Sequence, residues 1–377
     1  MRDVFITRLA KFLPYEPVSN DEMESVLGMV DGKPSKVRAL ILRNNGIKTR
    51  YYAFRNDGRH TYTNAEMTAE AIKTIFEQSG STDDIQLLAC GSTSPDQLLP
   101  SHATMVHGEL GIHPIELFSF AGSCNTGMQA LKYAFLAVGA GDVDRAVATG
   151  SERMSKFLTA ERFQSEMDKR HEIEENGFIA FEKDFLRWML SDGAGAAYIQ
   201  NKPNEEGVSL KIEWVDIASY SGQLETCMYA GAVKEGSKLK GFNDMSTKEW
   251  LEESVFSIKQ DTRLLGDNIV PRGVDFLEDV IKKHNFDTMS VDWFLPHLSS
   301  EFFRLKIHEE LERRGIKLPL ERWFTNLSSL GNVGSASPYF MLEELMNTNK
   351  LKKGQKVFIM VPESARFAYT YALLTVV

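Results

Sequence analysis

Short apolar runs, rich in small and β-branched residues, recur along the chain and are separated by longer amphipathic stretches. Runs of this kind predict buried β-strands; they read DVFITRLA, IQLLACGST, ELFSFAG, RAVATGS, GAAYIQ, VDWFLPH and KVFIMVPE. Between them, AEMTAEAIKTIFEQSG and NTGMQALKYAFLAVGAG carry apolar residues at three- and four-residue steps and end in glycine, which predicts helices. The alternation predicts an α/β fold.

Two segments follow the same plan, in which an apolar run leads into a turn of small residues and then into a helix. They are SFAGSCNTGMQALKYAF and NLSSLGNVGSASPYFMLEELM. We therefore predict two related halves, residues 1–205 and 206–377, joined through the polar stretch NKPNEEG. Residues 153–190 are charged and long for a connection within a compact domain, and we interpret them as an inserted cap.

The composition and the net charge of the chain argue against some classes of function. The chain has 377 residues, of which 43% are hydrophobic and 25% charged, as in an ordinary soluble protein. A net charge of -9 argues against nucleic-acid binding. Because the sequence contains no membrane-length apolar stretch and no signal-peptide core, we expect a cytoplasmic protein. Its three widely spaced cysteines predict neither disulfides nor a metal site, so a free reactive thiol remains possible.

Cys124 has the most informative local setting of the three cysteines. It follows an apolar strand and opens a helix, where backbone N–H groups and the helix dipole favour a thiolate and are expected to lower its pKa. The ordinary alternative is a buried structural cysteine. That alternative is favoured for Cys90 and Cys227, which lack the strand-to-helix setting.

Two further polar residues are placed where they could reach a shared cleft. His297 follows a strand that ends at a proline, a position suited to a hydrogen-bond donor or base. Asn332 lies in SSLGNVGSAS, a small-residue turn before a helix that begins near Pro338. Taken alone, each residue is at least as well explained by a structural role, as a surface histidine and as a turn-forming asparagine.

Five segments in the same order resemble the β-ketoacyl-acyl-carrier-protein synthase III family of thiolase-fold condensing enzymes. The resemblance spans nearly the whole chain. The segments are Arg43-Asn44-Asn45-Gly46-Ile47-Lys48-Thr49-Arg50, similar to R-T-G-I-x-x-R; Pro100-Ser101-His102-Ala103, similar to P-S-x-A; Gly122-Ser123-Cys124-Asn125-Thr126-Gly127, the nucleophile turn; Asp192-Gly193-Ala194-Gly195-Ala196; and Gly331-Asn332.

The resemblance implies a thiolase fold and specific roles. Cys124, His297 and Asn332 would form the catalytic triad, and the backbone N–H groups of Cys124 and Ala365 the oxyanion hole. Arg43 would contact coenzyme A or a carrier protein. It further implies acyl-thioester substrates on coenzyme A or an acyl carrier protein, a homodimer, and no metal or other cofactor.

Departures from the family pattern suggest a branch other than fatty-acid initiation. Ala39 replaces a tryptophan, Pro362-Glu363-Ser364-Ala365-Arg366-Phe367 replaces a glycine-rich turn, and residues 150–192 form a longer run than in the simple fatty-acid enzyme. The last two features resemble the ketosynthases of dialkylresorcinol pathways. There Glu152 is a candidate extra acid or base, although a surface carboxylate is the ordinary alternative.

Other functions stay open on the sequence alone. An initiating synthase III, or a thioester hydrolase that admits water to the acyl-cysteine, would use the same residues. A non-catalytic carrier-binding protein would be expected to have lost a triad residue. The cap is predicted to cover an acyl tunnel lined by apolar residues, which are Phe157, Leu158, Phe163, Met167, Phe178, Phe181, Phe185 and Trp188.

Overall fold

A computed structural model describes residues 1–35, 38–77, 79–162 and 186–377. The strands are β1 (Phe5–Phe12), β2 (Val18–Ser19), β3 (Thr49–Arg50), β4 (Leu87–Ser92), β5 (Glu116–Ala121), β6 (Arg145–Glu152), β7 (Gly193–Gln200), β8 (Leu210–Ser219), β9 (Met228–Tyr229), β10 (Ala232–Glu235), β11 (Lys238–Gly241), β12 (Lys259–Gln260), β13 (Trp293–Pro296), β14 (Lys356–Glu363) and β15 (Ala368–Val376).

The α-helices of the described residues vary widely in length. They are α1 (Met23–Leu27), α2 (Arg38–Asn45), α3 (Asn64–Phe76), α4 (His102–Leu110), α5 (Thr126–Ala140), α6 (Thr247–Glu252), α7 (Thr262–His284), α8 (Phe302–Arg313), α9 (Leu327–Leu330) and α10 (Ser337–Asn347). Single 3-10 turns lie at Val30–Gly32, Thr82–Asp84, Ser155–Phe157, Phe242–Asp244, Thr288–Ser290, Leu320–Arg322 and Gly334–Ala336.

One mixed sheet connects the two halves of the described chain. Its strand order is β13-β14-β15-β8-β1-β7-β6-β4-β5, so the first half supplies one side and the second half the other. The sides meet where β1 pairs antiparallel with β8, with Phe5 opposite Lys211 and Ile6 opposite Leu210. The strands β5, β4 and β6 run parallel, which brings their carboxyl ends to one edge.

Helices cover both faces of this sheet. On one face, α5 packs on β4, β5 and β6, while α10 packs on β1 and β7. The α5 side chains that were predicted to face the core, Met128, Leu131, Phe135 and Val138, are all buried. Helices α3 and α7 pack on the opposite face. The carboxyl ends of β5 and β6, the amino end of α5 and the turn before α10 therefore come together.

Most predicted elements are confirmed. All seven apolar runs contain strands, both predicted helices form, and α10 begins at Ser337 with Pro338 in its first turn. Asn332 is preceded by the short helix α9, whereas we predicted an apolar strand there. Strands β8 and β15 were not predicted; Lys211, Glu213 and Asp216 obscure the apolar character of β8.

The predicted domain boundaries and the predicted cap are not tested by the described residues. The boundaries 1–205 and 206–377 stay a prediction. Most of the predicted cap lies outside the described residues, including Phe163, Met167, Phe178, Phe181 and Phe185. No helix within the described ranges is long and apolar enough to cross a membrane.

Candidate active site

Cys124 lies in the loop between β5 and α5, two residues before the first residue of the helix. The loop is short because Thr126 N–H donates to the carbonyl of Ser123 at 2.9 Å and starts the helical turn at once. The Cys124 side chain is partly exposed, and Ser123 Oγ lies 3.8 Å from its Sγ. Cys90 and Cys227 are fully buried, as expected for structural cysteines.

The electrostatic environment of Cys124 differs from the expected one. We predicted that the helix N-terminus lowers the thiol pKa, and this prediction is wrong in its net direction. Burial, followed by the negative charges of Glu152 and Glu363, raises the pKa of Cys124 to about 12, against smaller opposing effects of Ser123 and the local backbone. The resting residue is a thiol, so a base is needed to make the nucleophile.

His297 immediately follows β13, as predicted, and is 3% exposed. Its backbone N–H donates to Met360 O at 2.7 Å, which holds the residue against the end of β14. Nε2 is buried without a hydrogen-bond partner, and burial lowers the imidazole pKa to about 4. The ring is therefore neutral at pH 7 and has a free nitrogen for a proton or a substrate atom.

Asn332 is held by backbone hydrogen bonds on both sides. Its N–H donates to Met189 O and its carbonyl accepts from Ser191 N–H, each at 2.9 Å. The side-chain Oδ1 accepts from Gly334 N–H at 3.0 Å. Because a backbone N–H can bond only to an acceptor, this contact identifies the amide oxygen and leaves Nδ2 as a donor.

Three glycines bring the turn after Asn332, the start of α5 and the strands β4 and β6 into close contact. A Cβ on Gly150 would lie 2.2 Å from Ser335 O, and a Cβ on Gly127 would lie 2.3 Å from the same atom. A Cβ on Gly91 would lie 2.3 Å from the Thr126 backbone. Real Cβ atoms do not come that close, so any larger residue would push these contacting segments apart.

One cavity of about 780 Å³, its open mouth included, is lined by Cys124, His297 and Asn332. The three predicted catalytic residues thus share a single site, although they come from three separate loops. The inner wall is apolar and includes Leu265, Ile269 and Val270 of α7 and Phe303 and Ile307 of α8. A cavity of this kind suits an aliphatic chain.

Glu152 also lines the cavity and is fully buried, so the alternative of a surface carboxylate is wrong. Its oxygens accept hydrogen bonds from Thr93 N–H, from the hydroxyls of Thr93 and Ser94, and from the N–H and hydroxyl of Ser335, at 2.7 to 3.2 Å. Burial raises its pKa, and these donors oppose the rise.

The turn between β14 and β15 requires a correction. We predicted that Ala365 N–H contributes to the oxyanion hole, but it donates to Glu363 Oε1 at 2.7 Å and is already satisfied. Glu363 also accepts from the N–H groups of Arg366 and Ala368. Ser364 lines the cavity, and its N–H has no acceptor among the described residues. Ser364 is therefore the better-placed donor, which the sequence did not reveal.

The segment 43–50 connects the two loops that carry His297 and Asn332. Asn45, which is fully buried, donates from Nδ2 to Trp188 O at 3.0 Å, and its own carbonyl accepts from Glu301 N–H at 3.0 Å. Trp188 immediately precedes the stretch that pairs with Asn332, and Glu301 follows His297 by four residues.

Two neighbours in the same segment strengthen this link. Lys48 N–H donates to Ser328 O at 2.8 Å, and the Thr49 hydroxyl donates to Ser329 O at 2.6 Å. The motif therefore has a structural function that a contact to coenzyme A does not explain. Arg43, in the same segment, is exposed at the last turn of α2, and its predicted role stays a prediction.

Comparison with known proteins shows which family the chain resembles. Residues 281–362 match the family described as 3-oxoacyl-[acyl-carrier-protein (ACP)] synthase III C terminal. The β-ketoacyl-[acyl-carrier-protein] synthase III of Chlorobaculum tepidum is 25% identical over 357 residues, which cover 94% of each chain. The matched family region includes His297 and Asn332.

The chain is a condensing enzyme that is similar to β-ketoacyl-acyl-carrier-protein synthase III over nearly its whole length. Solved structures confirm the thiolase fold of this condensing enzyme. A tetronic acid condensing enzyme superposes with a TM-score of 0.75 at 18% identity and covers 99% of both chains. The 3-oxoacyl-(acyl carrier protein) synthase III of Pseudomonas aeruginosa gives 0.71 at 18% identity, covering 99% of this chain and 98% of its own.

The raised thiol pKa predicts how the condensing enzyme reacts with iodoacetamide. Alkylation of Cys124, followed by mass spectrometry of its peptide, is expected to accelerate about tenfold per pH unit from pH 7 to 9, because the thiolate fraction grows throughout. Glu152→Gln removes a neighbouring negative charge and is expected to speed alkylation at fixed pH. A wild-type rate that levels off below pH 8 would contradict the raised pKa.

The connecting role of Asn45 predicts a selective defect. Asn45→Ala leaves the buried Trp188 carbonyl without one donor and loosens the stretch that holds Asn332, while the backbone bond to Glu301 remains. Condensation is expected to fall about tenfold, equivalent to roughly 1.4 kcal/mol, while acylation of Cys124 falls far less. Rates are measured separately for the two half-reactions at a temperature where each variant is folded.

The matched control is Asn204→Ala, which removes side-chain bonds to Thr7 O and Val208 O away from the cavity. It is expected to lower stability without changing the ratio of the two rates. An unchanged ratio in Asn45→Ala would show that Asn45 supports the fold alone. Thr49→Val, which removes the exposed bond to Ser329 O, tests the same link with less risk to folding.

Proposed function

We propose that the enzyme joins two acyl thioesters by a Claisen-type condensation, with the first acyl group held on Cys124. The observation that carries this proposal is the composition of the cavity. A thiol, the unpartnered Nε2 of His297 and the free amide Nδ2 of Asn332 line one enclosed space with apolar walls. This combination provides a nucleophile and two donors for one carbonyl oxygen.

In the first half-reaction the neutral His297 takes the proton of the Cys124 thiol. The thiolate attacks the thioester carbonyl, and the carrier thiol leaves with a proton. The N–H groups of Cys124 and Ser364 are the donors for the tetrahedral oxyanion, since neither is given to a described carbonyl. The acyl chain then lies along the apolar wall formed by α7 and α8.

In the second half-reaction another thioester becomes nucleophilic at its α-carbon. Negative charge develops on its carbonyl oxygen, where Nδ2 of Asn332 and His297, in the neutral tautomer that carries its proton on Nε2, can donate hydrogen bonds. The α-carbon attacks the acyl carbonyl on Cys124, the C–S bond breaks, and the released thiolate takes up the proton that the second substrate lost or, after loss of CO2, a proton from solvent. Loss of one such donor typically costs about 10²–10³ in rate.

The narrower substrate proposal concerns the dialkylresorcinol type of condensation. There a β-ketoacyl thioester is joined to a second acyl unit, and the turn Pro362-Glu363-Ser364-Ala365-Arg366-Phe367 supports this branch. Initiation of fatty-acid synthesis is the second candidate, favoured by the name of the Chlorobaculum tepidum relative. A hydrolase would instead release free acid from the acyl enzyme.

An acyl carrier protein or coenzyme A would deliver the substrates. Arg43 is exposed on α2. The last residue of this helix, Asn45, accepts a hydrogen bond from Glu301 N–H. Glu301 lies two residues after Ser299, which lines the cavity. An arginine at this position beside the cavity is suited to the phosphate of either carrier. The reaction that we propose needs no metal or further cofactor, because the residues named supply each proton transfer and each donor.

A homodimer is proposed on the basis of strand β5. This strand is the last in the sheet and pairs with β4 on one side, so its other edge is available to a second copy. Phe118 and Phe120 on β5 are only partly buried, and an apolar edge strand favours pairing between chains. The edge ends three residues before Cys124, so the second copy would lie close to the cavity.

The dimer prediction is tested by sedimentation velocity. We expect the wild type to sediment as a dimer and Phe120→Lys to shift toward the monomer, because a charge on the strand disfavours edge pairing. Leu239→Lys, which changes an exposed apolar residue elsewhere, is the control and should stay dimeric. A monomeric wild type at micromolar concentration would contradict the proposal.

The catalytic proposal is tested by separating the half-reactions. With an acyl-coenzyme A, intact mass spectrometry should detect one acyl group on the wild type and none on Cys124→Ala. His297→Ala and Asn332→Ala should lower carbon–carbon bond formation by about 10² or more, with Asn332→Ala still forming the acyl enzyme.

Two outcomes would overturn this function. An acyl adduct that persists at a cysteine in Cys124→Ala would show that the nucleophile is wrong. Free acid as the wild-type product, with no condensed thioester under any substrate pair, would identify a hydrolase. Equal loss of both half-reactions in Asn332→Ala would assign that residue to the fold.

A further inference from the structure

One polar side chain lies in the apolar wall of the cavity, apart from the catalytic loops. Gln260 is 6% exposed and lines the cavity, and among the described residues its side-chain amide has no hydrogen-bond partner. The other polar lining residues lie in the loops of Cys124, His297 and Asn332, in the turn between β14 and β15, or around Glu152. The catalytic proposal therefore gives Gln260 no role.

The pairing of two short strands directs the Gln260 amide into the cavity. Gln260 lies opposite Met228 in the antiparallel pair of β12 and β9. Residues that lie opposite each other in such a pair project to the same face, and Met228 lines the cavity. Ile258, two residues before Gln260, also lines it, whereas Lys259 between them does not. This alternation is that of an extended segment with one face toward the cavity.

The backbone on the other side of Gln260 is fixed as well. The next residue, Asp261, donates its N–H to Cys227 O at 2.8 Å. Its side-chain Oδ1 accepts from Leu264 N–H at 2.8 Å and caps the amino end of α7, the helix that forms much of the apolar wall. The amide is thus held by a strand pair and a helix start, so its position does not depend on a bound ligand.

Strand β9 separates Gln260 from the turn that carries Ser364. Met228 N–H donates to Ala365 O at 3.1 Å, next to the proposed oxyanion donor, and Gln260 pairs with Met228 from the β12 side. An acyl group on Cys124 with its carbonyl oxygen at Ser364 N–H therefore brings carbons further along the chain, and not the carbonyl itself, to the amide.

A buried amide without a partner favours a ligand that provides one. A plain alkyl chain along this wall would displace water from the Gln260 amide and leave its donors and its acceptor unpaired, which opposes binding. A keto oxygen on the chain can accept from Nε2, and a hydroxyl group can donate to Oε1. A site with such a group discriminates against the analogue that lacks the oxygen.

We propose that the acyl group loaded on Cys124 carries a keto or hydroxyl oxygen on its chain, and that Gln260 binds this oxygen. The inference rests on the proposed condensation and names the substrate class of its first half-reaction. Gln260 makes and breaks no covalent bond. It determines specificity, because its hydrogen bond holds the chain in register with the reactive carbonyl.

The test compares acylation of Cys124 by matched coenzyme A thioesters. Octanoyl-coenzyme A is compared with eight-carbon thioesters that carry a keto or a hydroxyl group at the third, fifth or seventh carbon, and the second-order rate constant is measured by intact mass spectrometry. We expect the wild type to prefer at least one oxygenated chain about tenfold over octanoyl. In Gln260→Leu this preference should be lost, because the apolar side chain of similar size offers no hydrogen bond.

The variant also distinguishes recognition from a structural role. The intrinsic reactivity of each thioester cancels when wild-type and variant rates are compared for the same substrate. Gln260→Leu removes an unpaired amide, so its thermal stability and its acylation by octanoyl-coenzyme A should be retained. Ile258→Leu, which reshapes the same wall without changing its polarity, is the matched control and should keep the preference for the oxygenated chain.

The outcomes separate this inference from the proposed function. Acylation of Cys124 by octanoyl-coenzyme A as fast as by every oxygenated thioester would overturn the inference and leave the condensing function intact. A preference for oxygen that Gln260→Leu retains would also overturn it, since another residue would then bind the oxygen. Absence of acyl-Cys124 with every thioester would overturn the proposed function itself.

Discussion

The site depends on the close approach of the turn at residues 331–336 to the Cys124 loop. That approach is possible because Gly127 and Gly150 have no Cβ, and the carbonyl of Ser335 occupies the space where one would lie. The same contact places Asn332 in the Cys124 cavity and brings Ser335 to Glu152. A single close backbone contact between the two halves thus positions a nucleophile, a donor and a carboxylate.

Burial then sets the chemical state of each group. His297 is neutral because no partner compensates for charging its ring, and Cys124 rests as a thiol because two carboxylates and an apolar wall oppose the thiolate. Burial raises the pKa of Glu152, and the hydrogen-bond donors around it oppose that rise. Cys124 and His297 therefore form no ion pair at rest.

The strands and the main helices could be predicted because their apolar periodicity is local. Cys124 and His297 could be placed for the same reason, since each follows a predicted strand. The buried state of Glu152 could not be predicted, because its hydrogen-bond donor Ser335 is 183 residues away in the sequence. The direction of the Cys124 pKa was wrong because the helix terminus is visible in the sequence while the enclosing wall is not.

The oxyanion donor shows a different limit. The sequence identified the correct turn but chose Ala365, because nothing in Pro362-Glu363-Ser364-Ala365 predicts that the Glu363 side chain folds back onto the N–H of Ala365. The structural role of Asn45 was also missed, since the family motif directed attention to coenzyme A. In both cases a long-range or side-chain-to-backbone bond decides the function.

The central claim is that one cavity holds the acyl chain, the nucleophile and both donors. A crystal structure of the enzyme acylated at Cys124 tests it most directly. We expect the chain along Leu265, Ile269 and Ile307, with the acyl oxygen within hydrogen-bond distance of the N–H groups of Cys124 and Ser364. An acyl chain outside this wall, or an acyl oxygen bonded to neither N–H, would contradict the account.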